Sequence, residues 1–300
     1  MANDEAAILD VTEAARSEEA SQPGAARRVH LSSYGLTDPG RTRPVNEDQF
    51  AIAEVRRVLR LLQSSIQQPE SLLGEPLGHL LMVADGIGGH QAGQYASAMA
   101  VVGVENLLLN TVGWLCKLQG EGVIRELREA LQTADRWVDE AGGRAPELRG
   151  MGTTLTMVYA SGSSFYIAHA GDSRCYLWRD GALKLLTRDH TLVESLVSGG
   201  VITPEQAAHH HMRNIVTNAV GGGTKGVNPD VHKHGALPGD LLLLCTDGLT
   251  NVVSDDDIAS VFRRELPPPD ACRYLVDEAN RRGGPDNITV VVARFDHAEH

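Results

Sequence analysis

LLMVADGIGG, residues 80–89, decides the fold: an apolar run stops abruptly at Asp85-Gly86 and turns through glycines. His79–Ala84 reads as a buried strand, and the small, apolar stretch Gln91–Asn110 reads as a helix packed closely on a sheet. The same device recurs in LLLLCTDGLT (241–250). It appears again where NEDQF (46–50) and GGPDNITVVV (283–292) place an aspartate at a turn beside an apolar run. Asp48, Asp85, Asp247 and Asp286 thus sit on rigid supports drawn from distant parts of the chain. Any one of them alone would read as a turn or cap residue. Four of them suggest convergence, and converging carboxylates raise one another's pKa unless a cation lies among them. The residues predict a divalent-metal site built from oxygen ligands.

The 300 residues, 42% hydrophobic and 22% charged, suit a globular chain of one large domain or two small ones. No apolar stretch is long enough to cross a bilayer, and the acidic start MANDEAAILD has no signal-peptide pattern. The expectation is a cytoplasmic protein with no membrane partner. A net charge of −12 argues against nucleic acid and against a static Lys/Arg cradle for phosphate. Phosphate chemistry here would draw its positive charge from metal ions. Cys116, Cys175, Cys245 and Cys272 lie in apolar segments with no CxxC pair, which predicts buried free thiols.

Residues 1–28, rich in Ala, Glu and Ser with little apolar pattern, read as a disordered acidic tail. The folded domain is expected over 29–296. Phe50–Leu62 reads as a strand, followed by a polar loop forming a surface insertion near 63–78. An amphipathic helix is predicted over about 122–141, closed by Gly142-Gly143. A β meander is predicted over 153–186, then short helices and loops over 190–228. Ser254-x-x-Asp257 signals a capped helix, and a further helix runs from the prolines at 267–269 to Gly283-Gly284. Strands in runs with helices in separate pairs make the class α+β, with mainly antiparallel sheets.

Seven blocks then fall in one order: Arg43-x-x-Asn46-Glu47-Asp48, Val83-Ala84-Asp85-Gly86-Ile87-Gly88-Gly89-His90, Met151-Gly152-Thr153-Thr154, Ala170-Gly171-Asp172-Ser173-Arg174, Thr187-Arg188-Asp189-His190, Thr246-Asp247-Gly248-Leu249 and Gly284-Pro285-Asp286-Asn287-Ile288-Thr289. In these blocks the chain resembles the metal-dependent protein serine/threonine phosphatases of the PP2C (PPM) family, in their bacterial form, over about residues 30–295. The resemblance implies an αββα sandwich, two antiparallel β-sheets face to face with helices outside. It also implies a centre of two Mn²⁺ or Mg²⁺ ions at one end. By the same resemblance Asp48 and Asp85 hold the metal pair, and the Gly86 carbonyl is a further ligand. Asp247 and Asp286 complete one metal's shell, Glu47 binds metal through water, and Arg43 grips the substrate phosphate. Asp172, with Asp247, matches the ligand of a weaker third ion in bacterial relatives. A flap near 191–228 lies beside the site. The implied reaction is hydrolysis of phosphoserine and phosphothreonine on proteins, opposing a cognate Ser/Thr kinase.

The chemistry of these side chains fits those roles independently. Two cations about 3.5–4 Å apart can bridge a water or hydroxide and make it a nucleophile near neutral pH. Carboxylate, carbonyl and water ligands suit Mg²⁺ or Mn²⁺, whereas zinc favours His and Cys. Arg43 offers a planar fork of donors to two phosphate oxygens. One departure stands out: eukaryotic relatives carry a His at the position of Ile87, and Ile87 cannot donate a proton. His90 reads as structural, as do His169 and His190, and Asp189 as a turn residue. His209-His210-His211 reads as a solvated loop. Two other functions compete with protein dephosphorylation: a pseudophosphatase serving as a scaffold, and the same chemistry on a small phosphoester. None of the four core aspartates is missing, which favours the enzyme.

Overall fold

Every second residue of the strand that leads to Asp85 faces a different core. The computed structural model describes residues 29–60, 71–88, 91–115, 120–223 and 226–297, and the tail expected over 1–28 lies outside them. The chain opens with β1 (Val29–Asp38), β2 (Gln49–Arg60), β3 (Ser71–Ala84) and the short β4 (Gly86–Ile87). Helices α1 (Gln91–Leu115) and α2 (Glu121–Arg144) follow. Then come β5 (Gly152–Thr153), β6 (Leu155–Ser161), β7 (Ser164–Ala170), β8 (Arg174–Arg179) and β9 (Ala182–Leu185). The flap holds α3 (Leu192–Ser198) and α4 (Pro204–Ala208), and β10 (Val220–Gly221) and β11 (Asp230–Gly235) leave it. The last elements are β12 (Leu241–Cys245), α5 (Asp247–Thr250), α6 (Asp255–Phe262), α7 (Pro268–Arg281) and β13 (Ile288–His297).

Two five-stranded antiparallel sheets, ordered β1-β13-β12-β8-β9 and β11-β7-β6-β3-β2, pack face to face. Leu81 and Val83 of β3, Leu242 and Leu244 of β12, and Val291 and Phe295 of β13 fill the space between them. Leu80 and Met82 point the other way, onto α1 and α2, while Leu241 and Leu243 point onto α6 and α7. Both faces of these strands are buried, which is why they read as unbroken apolar runs. The four layers are those of an αββα sandwich, as expected. On α1, Ala92, Ala96, Ala100 and Val104 recur at helical spacing and are buried, so the helix backbone can sit close to the sheet. Ser254 caps α6 reciprocally with Asp257, also as expected.

Three local expectations are corrected. The insertion near 63–78 is only in part a loop: from Ser71 the chain is already in β3, paired with β2 from Arg60↔Ser71 to Gln49↔Ala84 across register shifts at Val55–Val58, while residues 61–70 lie outside the described residues. Gly142-Gly143 does not end α2, which runs on to Arg144. A Cβ on Gly142 would sit 3.0 Å from the Leu148 carbonyl, so glycine serves close packing of the following turn. The meander is split between the sheets: β6 and β7 pair in one, β8 and β9 in the other, and the chain crosses at Gly171-Asp172-Ser173. Cys175, Cys245 and Cys272 are buried free thiols, and Cys116 lies outside the described residues. Among the described residues no helix is long and apolar enough to cross a membrane.

Candidate active site

Register brings the aspartates to one end of the sandwich. Gln49 pairs with Ala84, so Asp48 and Asp85 are neighbours at the ends of adjacent strands. Cys245 pairs with both Val290 and Arg174, which places Asp247, Asp286 and Asp172 at that same end of the other sheet. Two glycines are obligatory here. A Cβ on Gly86 would strike the Gly93 carbonyl of α1, and one on Gly248 would strike the Asn287 carbonyl. The glycine of each Asp-Gly pair is what lets the carboxylate-bearing turn close on its neighbour.

A scaffold of hydroxyls and amides holds these turns. Thr246 Oγ1 donates to Asp48 Oδ2 at 2.8 Å and accepts from the Thr289 amide at 3.0 Å. Thr154 Oγ1 accepts from the Asp85 amide at 2.9 Å, and the Thr154 amide and Thr153 hydroxyl donate to the Asp85 carbonyl. Asn287 spans the loop before Asp48: its Oδ1 accepts from the Glu47 amide at 2.9 Å, and its Nδ2 donates to the carbonyls of Pro39 and Val45. Asn251 donates to Asp247 Oδ2 at 2.9 Å. Thr153 and Thr154, which the sequence reads as core-strand packing, instead bond the Asp85 backbone. Thr246, Asn287 and Asn251 carry as their signal adjacency to an aspartate block, which is equally the signal of an ordinary turn.

The electrostatics are those of a site built for cations. Burial, then the charges of Asp247 and Asp286, push Asp48 up to about 7 against the pull of the Thr289 and Thr246 hydroxyls. Asp85 is raised well above the usual carboxylate range by burial, then by Asp48, Asp247, Asp172 and Asp286. Burial raises Asp172 to about 7, with Asp247 and Asp189 adding to it. Asp247 is raised by burial and Asp286, and relieved by the hydrogen bond from Asn251. Asp48 Oδ1 and Asp247 Oδ1 are buried with no hydrogen-bond partner. Such oxygens are costly unless a donor or a cation meets them. Among the described residues no three His, Cys, Asp or Glu side chains already form a closed metal cage. The convergence therefore rests on the mutual charge effects and the orphaned oxygens, and both fit hard, oxygen-liganded ions.

Arg43 reaches the same place, its Nη2 donating to Asp286 Oδ2 at 2.8 Å, with Glu47 and Asp85 close enough to favour its charge. The Glu47 carboxyl lies against Gly93. Ile87 is partly exposed in β4, and His90 falls outside the described residues. Asp189 does more than shape a turn: it takes a two-pronged ion pair from Arg174, at 2.9 and 2.7 Å. His169 and His190 are hydrogen-bonded within the fold, His169 to the Thr156 hydroxyl and His190 to Asp230. A cleft of about 560 Å³ opens beside the aspartates, with Asp172 and Asp247 on its floor and Pro204, His209 and Arg213 of the flap along its wall.

A family model described as Protein phosphatase 2C matches residues 73–278. The serine/threonine protein phosphatase PstP of Mycobacterium tuberculosis is 38% identical over 215 residues, which is 71% of this chain and 40% of that protein, so the match spans less than half its length. The serine/threonine phosphatase stp of Listeria monocytogenes is 34% identical over 260 residues, 87% of this chain and 94% of that one. A crystal structure of the catalytic domain of PstP in complex with two manganese ions superposes with a TM-score of 0.70 at 32% identity, covering 89% of this chain and 99% of that one.

Proposed function

The chain belongs to the protein phosphatase 2C family, and on that footing we propose that it removes phosphate from Ser and Thr side chains of cytoplasmic phosphoproteins, in a reaction that depends on Mn²⁺ or Mg²⁺. One observation carries the metal dependence: five aspartates meet at one end of the sandwich, and two of them bury an oxygen with no partner. Asp48, Asp85, the Gly86 carbonyl, Asp247 and Asp286 would hold two ions, with Glu47 acting through water. Asp172 with Asp247 would hold a third. When bound, the ions supply positive charge for the phosphoryl oxygens and make water acidic enough to attack near neutral pH.

The chain's own residues do the rest. Arg43 commits one Nη2 donor to Asp286, so that carboxylate aims the guanidinium while its other donors remain for the phosphate. Thr246 fixes the carboxylate plane of Asp48, and Asn287 fixes the loop from Val45 to Asp48. Ile87 offers no proton to the leaving Ser or Thr oxygen. The cleft under the flap accepts the polypeptide around the phosphoresidue, so substrate choice lies with flap residues such as His209 and Arg213. A Ser/Thr kinase that makes those phosphoproteins is the functional counterpart.

The test is hydrolysis of phosphoserine and phosphothreonine peptides by the purified chain with Mn²⁺, with Mg²⁺ and with EDTA. Turnover with either ion and none in EDTA is expected. Activity that survives EDTA would defeat the metal reading, and inactivity under every condition would favour a scaffold.

A further inference from the structure

His190 stands where the flap leaves the body of the domain, and four separate segments meet on it. Its amide donates to the Gly171 carbonyl at 2.7 Å, next to Asp172. Its carbonyl accepts from the amide and the hydroxyl of Thr217, at 2.8 and 3.0 Å, where the flap returns. On the ring, Nδ1 faces two donors, the Gly171 amide at 3.2 Å and Asn218 Nδ2 at 2.9 Å. Nδ1 is therefore the acceptor, and the ring proton sits on Nε2, which donates to Asp230 Oδ2 at 3.1 Å. The ring also packs against His169, centroids 4.8 Å apart. His169 is held by Thr156 and the Arg188 carbonyl, and burial, then His190, keeps it neutral by lowering it to about 4.

The flap's two feet are also tied to each other. Thr191 and Val216 form a bridge, and the Leu192 amide donates to the Ile215 carbonyl at 2.9 Å. Asn218 exchanges hydrogen bonds with the backbone of Asn228, anchoring the return foot toward β11. The flap is thus a closed loop whose return foot is held by His190, through the backbone carbonyl at Thr217 and through ring Nδ1 at Asn218. The same Nδ1 also accepts from the amide of Gly171, the residue before Asp172.

We propose that His190 is a positioning residue that links the seating of the flap on a polypeptide substrate to the placement of Asp172. The inference deepens the phosphatase reading and rests on it. A flap that shifts carries Asn218 with it, and the shared acceptor Nδ1 passes the change to the Gly171 amide. Peptide binding and the metal requirement set through Asp172 then move together. A residue that merely stabilised the fold would alter neither selectively.

The experiment compares the full chain with its His190→Ala, His190→Asn and His190→Gln variants. Peptide KM, p-nitrophenyl phosphate KM, the Mn²⁺ concentration for half-maximal rate and Tm are measured for each. Asn keeps an acceptor near the position of Nδ1, whereas Gln reaches only toward Asp230. His190→Ala should raise the peptide KM and the Mn²⁺ midpoint together by about five- to tenfold, the worth of one or two hydrogen bonds. The p-nitrophenyl phosphate KM at saturating Mn²⁺ should stay near wild type. His190→Asn should recover most of both losses and His190→Gln should not. Equal behaviour of Asn and Gln, or effects that follow Tm alone, would overturn the proposal, and this comparison stands even if the Ala variant fails to fold. A wild-type chain inactive on both substrates would defeat the phosphatase reading alone. In that case amide exchange at Gly171 and proteolytic nicking within 199–214 still decide: faster in Gln than in Asn upholds the pin, equal rates overturn it.

Discussion

Arg43 Nη2 lies 2.8 Å from Asp286 Oδ2, joining two residues 243 positions apart. About half of the Arg43 side chain is exposed, at 51%, so solvent screens the pair and its contribution to stability is small. Its value is directional. The carboxylate that would ligate a metal also orients the guanidinium that would grip the phosphate, so substrate and ions are placed by one side chain.

Arg43→Ala should therefore cost activity far more than stability. Losing charged hydrogen bonds to phosphate is worth about 1.5–3 kcal/mol, or roughly 10- to 150-fold in kcat/KM on a phosphothreonine peptide. Unfolding free energy should change by less than about 1 kcal/mol. Arg43→Lys should rescue poorly, because an ammonium cannot span Asp286 and a phosphate in the same plane. Steady-state kinetics beside urea titrations check both. A large stability loss with unchanged kcat/KM would contradict the role.

The raised aspartates set a pH dependence in metal-free protein. Burial chiefly holds Asp48 and Asp172 near 7 in the folded chain, against about 3.9 for a free side chain. Between those values the folded state keeps protons that the unfolded state releases, so the aspartates' share of stability falls as pH rises from about 4 to 7 and then levels. His169, lowered to about 4 chiefly by burial, opposes that fall up to about pH 6.5. In EDTA, the Tm of wild type relative to Asp48→Asn should fall between pH 5 and pH 7.5, because the variant lacks the Asp48 proton. Saturating Mn²⁺ should reverse it, since the ion binds deprotonated ligands. Thermal melts across pH with and without Mn²⁺ read this directly, and an Asp48→Asn slope in EDTA matching that of wild type would refute it.

The candidate site was more legible than the elements around it, for physical reasons. Asp85 and Asp247 follow fully buried strands, and an apolar run broken by Asp-Gly is a pattern that few ordinary turns share. β11 carries Asp230-Val231-His232-Lys233-His234-Gly235 on an outer edge, where polar residues face solvent, so its pattern is that of a loop. β4, β5 and β10 have two residues each, too few to show a period of two in the sequence. Gly142 resembles a helix stop because glycine at close packing and glycine at a cap look alike in one dimension. The crossover at Asp172 was hidden likewise: hairpins within one sheet and hairpins split between two share the same turns.

Thr246 offers a test of the scaffold beneath the site. Its hydroxyl bridges Asp48 Oδ2 and the Thr289 amide, both buried. Thr246→Val keeps the shape but leaves that amide without an acceptor and Asp48 without its orienting donor. Stability should fall by about 1–3 kcal/mol, and the Mn²⁺ concentration for half-maximal rate should rise. Thr246→Ser should restore both. Urea titration and Mn²⁺-dependent kinetics measure the pair of effects, and a Val variant matching wild type in both would remove Thr246 from the site.

Asp247 and Asp172 are both raised by burial and by neighbouring acids, yet they should separate on substitution. Asp247 takes repulsion from Asp286 and buries an oxygen with no partner. Asp247→Asn should therefore leave metal-free Tm at pH 7.5 equal or higher, because a buried charge is removed from among like charges. It should also abolish Mn²⁺-dependent turnover and most of the Mn²⁺-induced rise in Tm. In wild type that rise corresponds to about 2.7 kcal/mol when the ion is at a hundred times its Kd. Asp172 lies on the cleft floor, one strand crossover away. Asp172→Ala should keep the Mn²⁺-induced rise while lowering kcat or raising the Mn²⁺ requirement. Thermal shifts and kinetics on the two variants side by side decide the division. An Asp247→Asn protein with wild-type turnover would end the two-ion assignment, and an Asp172→Ala protein with unchanged kinetics would end the third.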